Sequence, residues 1–172
     1  MLYGDQSDVG LYPPVGPQWG PQGQQYKIRT HGRNQKVYLF GALEAHAGQL
    51  YAGFWSRKNS VAFVDFLREL LIVIPDQPLH LILDNYGVHK SRRTRDFLAT
   101  DGRRITLHFL PTYSPWLNPI EATWRIVKGK AGTNAWRDDV DQLTHHYQAT
   151  LTQLDTVLLQ PTDCFRQEQG TT

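Results

Sequence analysis

Leu79-His80-Leu81-Ile82-Leu83 is a near-continuous apolar run that stops at Asp84. Such a run suits a central strand covered on both faces. Its neighbours set the fold class around it. Lys36-Val37-Tyr38-Leu39-Phe40-Gly41-Ala42-Leu43 and Gln49–Trp55, separated by a turn containing Gly48, have the β-branched and aromatic content of strands. Met1–Gln6 reads as an earlier strand with Asp5 at its C-terminal edge, and Tyr26–Arg29 as a short one. Between them, Pro13, Pro14, Gly16, Pro17, Gly20, Pro21 and Gly23 form a long irregular loop, because this density of Pro and Gly holds neither a ladder nor a helix.

Phe63, Phe66, Leu67, Leu70 and Leu71 recur at helical spacing, with Asn59 or Ser60 as the cap and Pro75 at the end. After Asp84 come a basic helix over Ser91–Ala99, a strand over Ile105–Leu110, a loop from Pro111 to Pro115, and helices over 118–130 and 138–159. Three early strands predict an antiparallel meander. The later alternation predicts parallel strands with crossover helices, so the class is α/β: a mixed sheet with helices on both faces.

The 172 residues are 40% hydrophobic and 20% charged, the profile of one soluble globular domain rather than a disordered or fibrous chain. A chain of this length buries roughly 70% of its unfolded surface and needs no disulfides. The single cysteine, Cys164, excludes a disulfide framework and an all-cysteine zinc site. No apolar run approaches the roughly 18 residues of a membrane span. The N-terminus has no basic or apolar signal region, so a cytoplasmic location is expected.

The net charge of +2 conceals an uneven distribution. Residues 1–85 are neutral, 86–130 carry 9 basic and 3 acidic side chains, and 131–172 carry 2 basic and 6 acidic. Lys90, Arg92, Arg93, Arg95, Arg103, Arg104, Arg125, Lys128 and Lys130 make the middle segment basic. A phosphate backbone needs such a surface, although a solvated helix face has the same composition.

Asp5, Asp84 and Glu121 stand at structural ends. Asn118 and Pro119 suit the N-cap and first helical position, which puts Glu121 third. Each acid also has an ordinary explanation: a solvated terminus, a strand-end turn at Asp84-Asn85, and a carboxylate favouring the helix dipole. Taken together they say more. Ligands of α/β sheets gather beyond the carboxyl ends of strands. Three carboxylates meeting there form a hard oxygen site suited to Mg²⁺ or Mn²⁺. Two such ions roughly 3.5–4 Å apart can drive an in-line phosphodiester displacement.

Leu81-Ile82-Leu83-Asp84-Asn85-Tyr86, His89-Lys90-Ser91, Leu107-His108-Phe109-Leu110-Pro111 and Tyr113–Trp124, which contains Asn118-Pro119-Ile120-Glu121, resemble the DDE endonuclease domain of bacterial insertion-sequence transposases of the mariner-type superfamily. Asp5–Gln25, with Pro14, Gly16, Trp19, Gly23 and Gln24, is similar to it as well. The likeness covers about residues 1–130. It implies a ribonuclease H-like fold and a catalytic, metal-holding triad of Asp5, Asp84 and Glu121. It implies two Mg²⁺ or Mn²⁺ ions, cleavage of DNA at element ends, and transfer of the freed 3′-hydroxyl into target DNA. Another ribonuclease H-like nuclease, or a DNA-binding remnant, is the alternative. The family commonly has glutamate after the first aspartate, where this chain has Gln6. It also carries a helix-turn-helix region before the catalytic domain, whereas here the triad begins at residue 5, so that region is expected upstream or on a separate chain. The expected organisation is a catalytic domain over 1–160, with its first strand cut short, and a tail over 161–172. Joining two ends implies a homodimer on DNA.

His89, Lys90, Arg92, Arg93, Arg125 and Lys128 are the expected DNA-binding residues. Ser91 suits a helix cap. Trp19 is expected to anchor its loop, with stacking on a base as the alternative, and Trp124, four residues after Ile120, to lie in the core. Cys164 and His145-His146 have no surrounding pattern that suggests chemistry.

Overall fold

The computed structural model describes residues 1–17, 19–24, 27, 35–112, 114–134 and 136–160. The expected strand at Tyr26–Arg29, together with Gln25, Tyr113, Cys164 and the 161–172 tail, lies outside the described residues, Lys27 excepted. Six strands, β1 (Leu2–Gly10), β2 (Lys36–Glu44), β3 (Gln49–Trp55), β4 (Leu79–Leu83), β5 (Ile105–Phe109) and β6 (Val157–Leu158), form one sheet in the order β5-β4-β1-β2-β3-β6. The β1-β2-β3 meander is antiparallel, and β4, β5 and β6 join in parallel. This is the expected mixed sheet.

Helices cover both faces. On one, α1 (Ser60–Val73) and α2 (Arg92–Ala99) pack against a core containing Phe40, Trp55, Phe63, Phe66, Leu67, Leu70 and Phe97. Each such side chain contributes about 1.5–3 kcal/mol on burial. The Phe40, Trp55 and Phe66 rings lie 5.0–5.9 Å apart, and the Trp55 indole donates to Asp65 Oδ2 at 2.9 Å. On the other face, α3 (Ile120–Gly132) and α4 (Val140–Gln153) bury Ile120, Trp124, Val127 and Ala131 with Leu143, Tyr147 and Leu151. These residues repeat every three or four positions, the stripe a core-facing helix needs.

Several boundaries differ from expectation. β1 continues to Gly10 because its pairing with β2 runs to Gly10↔Lys36, so Asp5 lies inside the strand. β4 lies within the sheet, yet His80 is exposed and Ile82 only half-buried, because α3 and α4 sit over β1 and β2. The last helix stops at Gln153. Asp155 then takes a positive φ of 55°, and Val157–Leu158 add an edge strand beside β3. Trp19 is fully exposed, so it is not the buried loop anchor expected of it, and the described residues 20–24 beside it are exposed too. Arg104, counted with the basic segment, donates to the carbonyls of Leu71, Ile74 and Gln77 and closes the C-terminal end of α1. No helix among the described residues is long and apolar enough to cross a membrane.

Asn59 caps α1, its Oδ1 accepting from Val61 N and Ala62 N at 3.0 Å. Asn59→Ala is expected to cost about 1 kcal/mol, which lowers the melting temperature by about 2–4 °C in a thermal denaturation scan.

Candidate active site

The parallel contact between β1 and β4 is short. It pairs Leu2 with Leu81 and Tyr3 with Ile82. Asp5 and Asp84 each lie two residues beyond the last pair, where the two strands part. Side chains alternate along β1, so Asp5 faces α3 while Gln6 faces α1. Glu121 arrives from the first turn of α3. The three carboxylates, with Asn85, Tyr86, Leu110, Pro111 and Asn118, line one pocket of about 350 Å³.

Two hydrogen bonds fasten α3 to β1 beside this pocket. The Trp124 indole donates to Asp5 Oδ2 at 2.9 Å. Asn118 Nδ2 donates to the Gly4 carbonyl at 3.1 Å. Asn118 therefore does not cap the helix with its side chain, and Pro119 occupies the cap position with no side-chain hydrogen bond. Glu121 is then the second residue of the helix rather than the third. Asn118 lines the pocket, and among the described residues its Oδ1 is buried without a hydrogen-bond partner. Trp124 reaches Asp5 because Gly41 is the residue opposite Asp5 in β2. A Cβ there would collide with Trp124 Cη2, so only glycine leaves room for the indole.

The electrostatics of the two aspartates differ. Burial pushes the Asp5 carboxyl up to about 6, and the negative charges of Glu121 and Asp84 add to this against the Gln6 and Trp124 N–H groups. Asp84 is more exposed and is held below the usual carboxylate range, first by its hydrogen bond with His89 and then by the Tyr86 N–H, against some burial. The Tyr86 backbone N–H donates to Asp84 Oδ1 at 3.1 Å, so the strand-end turn is present as well.

The donor set fits a hard divalent cation: all-oxygen, with one carboxylate whose charge the protein does not compensate. Among the described residues, no group of three or more His, Cys, Asp or Glu side chains is gathered closely enough to hold a metal ion, so the three carboxylates share the lining of the pocket without converging on one point. An open site is what Mg²⁺ chemistry uses, with one or two carboxylates and the remaining ligands from water and phosphate.

The expected nucleic-acid contacts divide. Arg125 and Lys128 lie four and seven residues after Glu121, on its side of α3, with Arg125 exposed and Lys128 half-buried. Arg93 is exposed, and Arg92 lies 3.7 Å from Asp96. Lys90 donates to Asn85 Oδ1 at the pocket and sits over the Phe109 ring. His89 is only 2% exposed, which removes it from any surface contact. Lys58 was not expected here. Its ammonium lies 5.2 Å from the centre of the Tyr86 ring, and nothing in the sequence connects this turn before α1 with the acidic motifs. Ser91 caps α2 as expected.

A mixed sheet of this order, with carboxylates where β1 and β4 part, is a ribonuclease H-like fold. The chain belongs to the DDE superfamily endonuclease family, whose model matches residues 1–144. It is 34% identical over 128 residues to the insertion element IS630 uncharacterized 39 kDa protein of Shigella sonnei, a match that takes in 74% of this chain and 37% of that protein. The chain thus spans little more than a third of that relative. Among solved structures it is similar in fold to the Mos1 mariner paired end complex with Mn, at TM-score 0.61 and 17% identity over 89% of this chain and 52% of that one. It is also similar to the BIV integrase catalytic core domain, at TM-score 0.52 and 18% identity over 67% of this chain and 73% of that one.

Because Asp5 titrates above its ordinary range, its ionised form destabilises the metal-free fold. The cost is absent below about pH 4, grows up to about pH 6 and is complete above it. Asp5→Asn is therefore expected to stabilise the metal-free protein near neutral pH by up to about 2–3 kcal/mol, with no gain near pH 4, in urea titrations with EDTA. Gly41→Ala is expected to displace the Trp124 ring and cost about 1–3 kcal/mol in the same assay.

Proposed function

We propose that this chain is the catalytic domain of a DNA transposase. It cleaves DNA at the ends of a mobile element and joins the freed ends to a target, using two Mg²⁺ or Mn²⁺ ions. The observation that carries this reading is the gathering of Asp5, Asp84 and Glu121 in one pocket of the family's fold. Asp5 and Asp84 hold the ions most directly, and Glu121 completes the oxygen set. When bound, such ions activate the attacking oxygen and stabilise the leaving one.

In the first step a water oxygen attacks the scissile phosphorus, the P–O3′ bond breaks, and the 3′ oxygen leaves as a free hydroxyl. In the second, that hydroxyl attacks a target phosphodiester, whose own O3′ leaves. No covalent protein–DNA bond forms. The chain's residues hold the geometry. Trp124 fixes Asp5 from α3, and the Gly4–Asn118 bond sets the start of that helix. Lys90, Arg92, Arg93, Arg125 and Lys128 meet backbone phosphates, which gives affinity without sequence preference.

Sequence recognition of the element ends then falls to a helix-turn-helix region, upstream or on a separate chain. Residues 1–160 form the catalytic unit and 161–172 a tail. Two ends must be joined together, so the working form is a homodimer on DNA, acting in the cytoplasm at the nucleoid. The likeness in fold to Mos1, solved as a paired end complex with Mn, agrees with a paired, metal-using assembly.

The test is a strand-transfer assay with Mn²⁺, on the inverted repeats flanking the reading frame, with the chain joined to its DNA-binding region. EDTA is expected to abolish both cleavage and joining. Asp84→Asn is expected to lower both by roughly a hundredfold or more, since even outer-shell changes around a metal cost about 10–100-fold. Unchanged activity in Asp84→Asn would place the site elsewhere. Cleavage without joining would make the domain a plain nuclease.

A further inference from the structure

Behind Asp84 lies a buried polar chain that neither proposed chemical step consumes. His89 comes from the 3₁₀ turn Gly87–Lys90, and its ring packs 4.5 Å from that of Phe63. Its Nδ1 lies 3.1 Å from the Asp84 backbone oxygen and 3.2 Å from Asp84 Oδ1. Its Nε2 lies 2.7 Å from Gln6 Nε2. Gln6 and His89 are both buried, at 7% and 2% exposure, and so is the contact between them.

The chemistry of the partners fixes the hydrogens. A carbonyl oxygen only accepts, so Nδ1 carries the hydrogen. An amide nitrogen only donates, so Nε2 offers its lone pair. Both ends of the ring select the same neutral tautomer, and in that tautomer the Nδ1–H also points at the Asp84 carboxylate. Strand alternation makes this possible: Asp5 occupies the pocket side of β1, which leaves Gln6 on the α1 side, where the His89 ring lies.

We propose that Gln6 and His89 are positioning residues for Asp84: the Gln6 amide fixes the imidazole tautomer, and the imidazole N–H fixes the carboxylate at the rim of the pocket. The inference rests on the reading of Asp84 as a metal ligand. Metal-binding groups owe their orientation to such outer partners, whose loss typically costs about 10–100-fold in affinity. The Gln6 side chain thus acts on Asp84 through His89, without touching that carboxylate.

The test uses the full 172-residue chain labelled with ¹⁵N-histidine. Long-range ¹H–¹⁵N spectra report which ring nitrogen carries the hydrogen, and the His89 signal is the one missing in His89→Gln. Without metal, the wild-type His89 is expected in the neutral Nδ1–H form. Gln6→Met keeps a similar volume and removes the donor. It is expected to release the fixed tautomer and to weaken Mn²⁺ binding, followed by water-proton relaxation, by about tenfold or more. An Nε2–H form in the wild type overturns the proposal without any variant. So does a Gln6→Met protein that keeps the wild-type tautomer and the wild-type Mn²⁺ affinity. A wild type that shows the Nδ1–H form but binds no Mn²⁺ overturns instead the reading of the pocket as a metal site.

Discussion

The hydrogen bond from Trp124 to Asp5 ties the helix layer to the strand beside the pocket that the carboxylates line. Trp124 is 3% exposed and Asp5 half-buried, so the bond is partly shielded from water, where a lost partner is costly. It requires the glycine at position 41, because a side chain there would occupy the space of the indole. It also sets the rotation of α3. With Trp124 turned to the sheet, Glu121, three residues earlier, lies on the pocket side of the same helix. Asn118 adds a second tie from the start of α3 to Gly4. The pocket is thus built by the packing of one helix on one strand.

The sheet supplies the other half. β1 and β4 pair over only two registered positions and then part. A longer ladder would direct the Asp5 and Asp84 backbones to each other. Parting instead opens space between them, into which the loop of Leu110 and Pro111 and the head of α3 close from the side. The two aspartates come out unequal. Asp5 lies deep and is pushed towards its neutral form, whereas Asp84 sits at the rim and is kept charged by donors. In the proposed metal site, a divalent cation would offset the burial of Asp5 by replacing lost hydration with direct charge.

Much of this was legible in the residues. The meander, the crossover order, the Asn59 cap and the apolar stripes of the helices follow from local periodicity, and the structure has them. The three acids were legible because each stands beside a chain-direction signal: a strand, an apolar run, an Asn-Pro helix start. Other features had no local signal. The partner of Trp124 is 119 residues away and that of Gln6 is 83 away. Trp19 looked like an anchor by its residue type, yet burial depends on packing from elsewhere in the chain, and Trp19 is fully exposed. Charge counting could not separate Arg104, spent on the end of α1, from Arg125, which is exposed.

The sequence by itself determined the α/β class, the order of the elements and which carboxylates stand near their ends, because periodicity and capping act over a few residues. Only the tertiary structure decided that Asp5 lies within β1 rather than at its edge, that Asn118 serves β1 instead of capping α3, and that His89 is a core residue behind Asp84. Those outcomes depend on strand register and helix rotation. Both are set by contacts between segments far apart in the chain, where one residue of slip reverses the face on which a side chain lies.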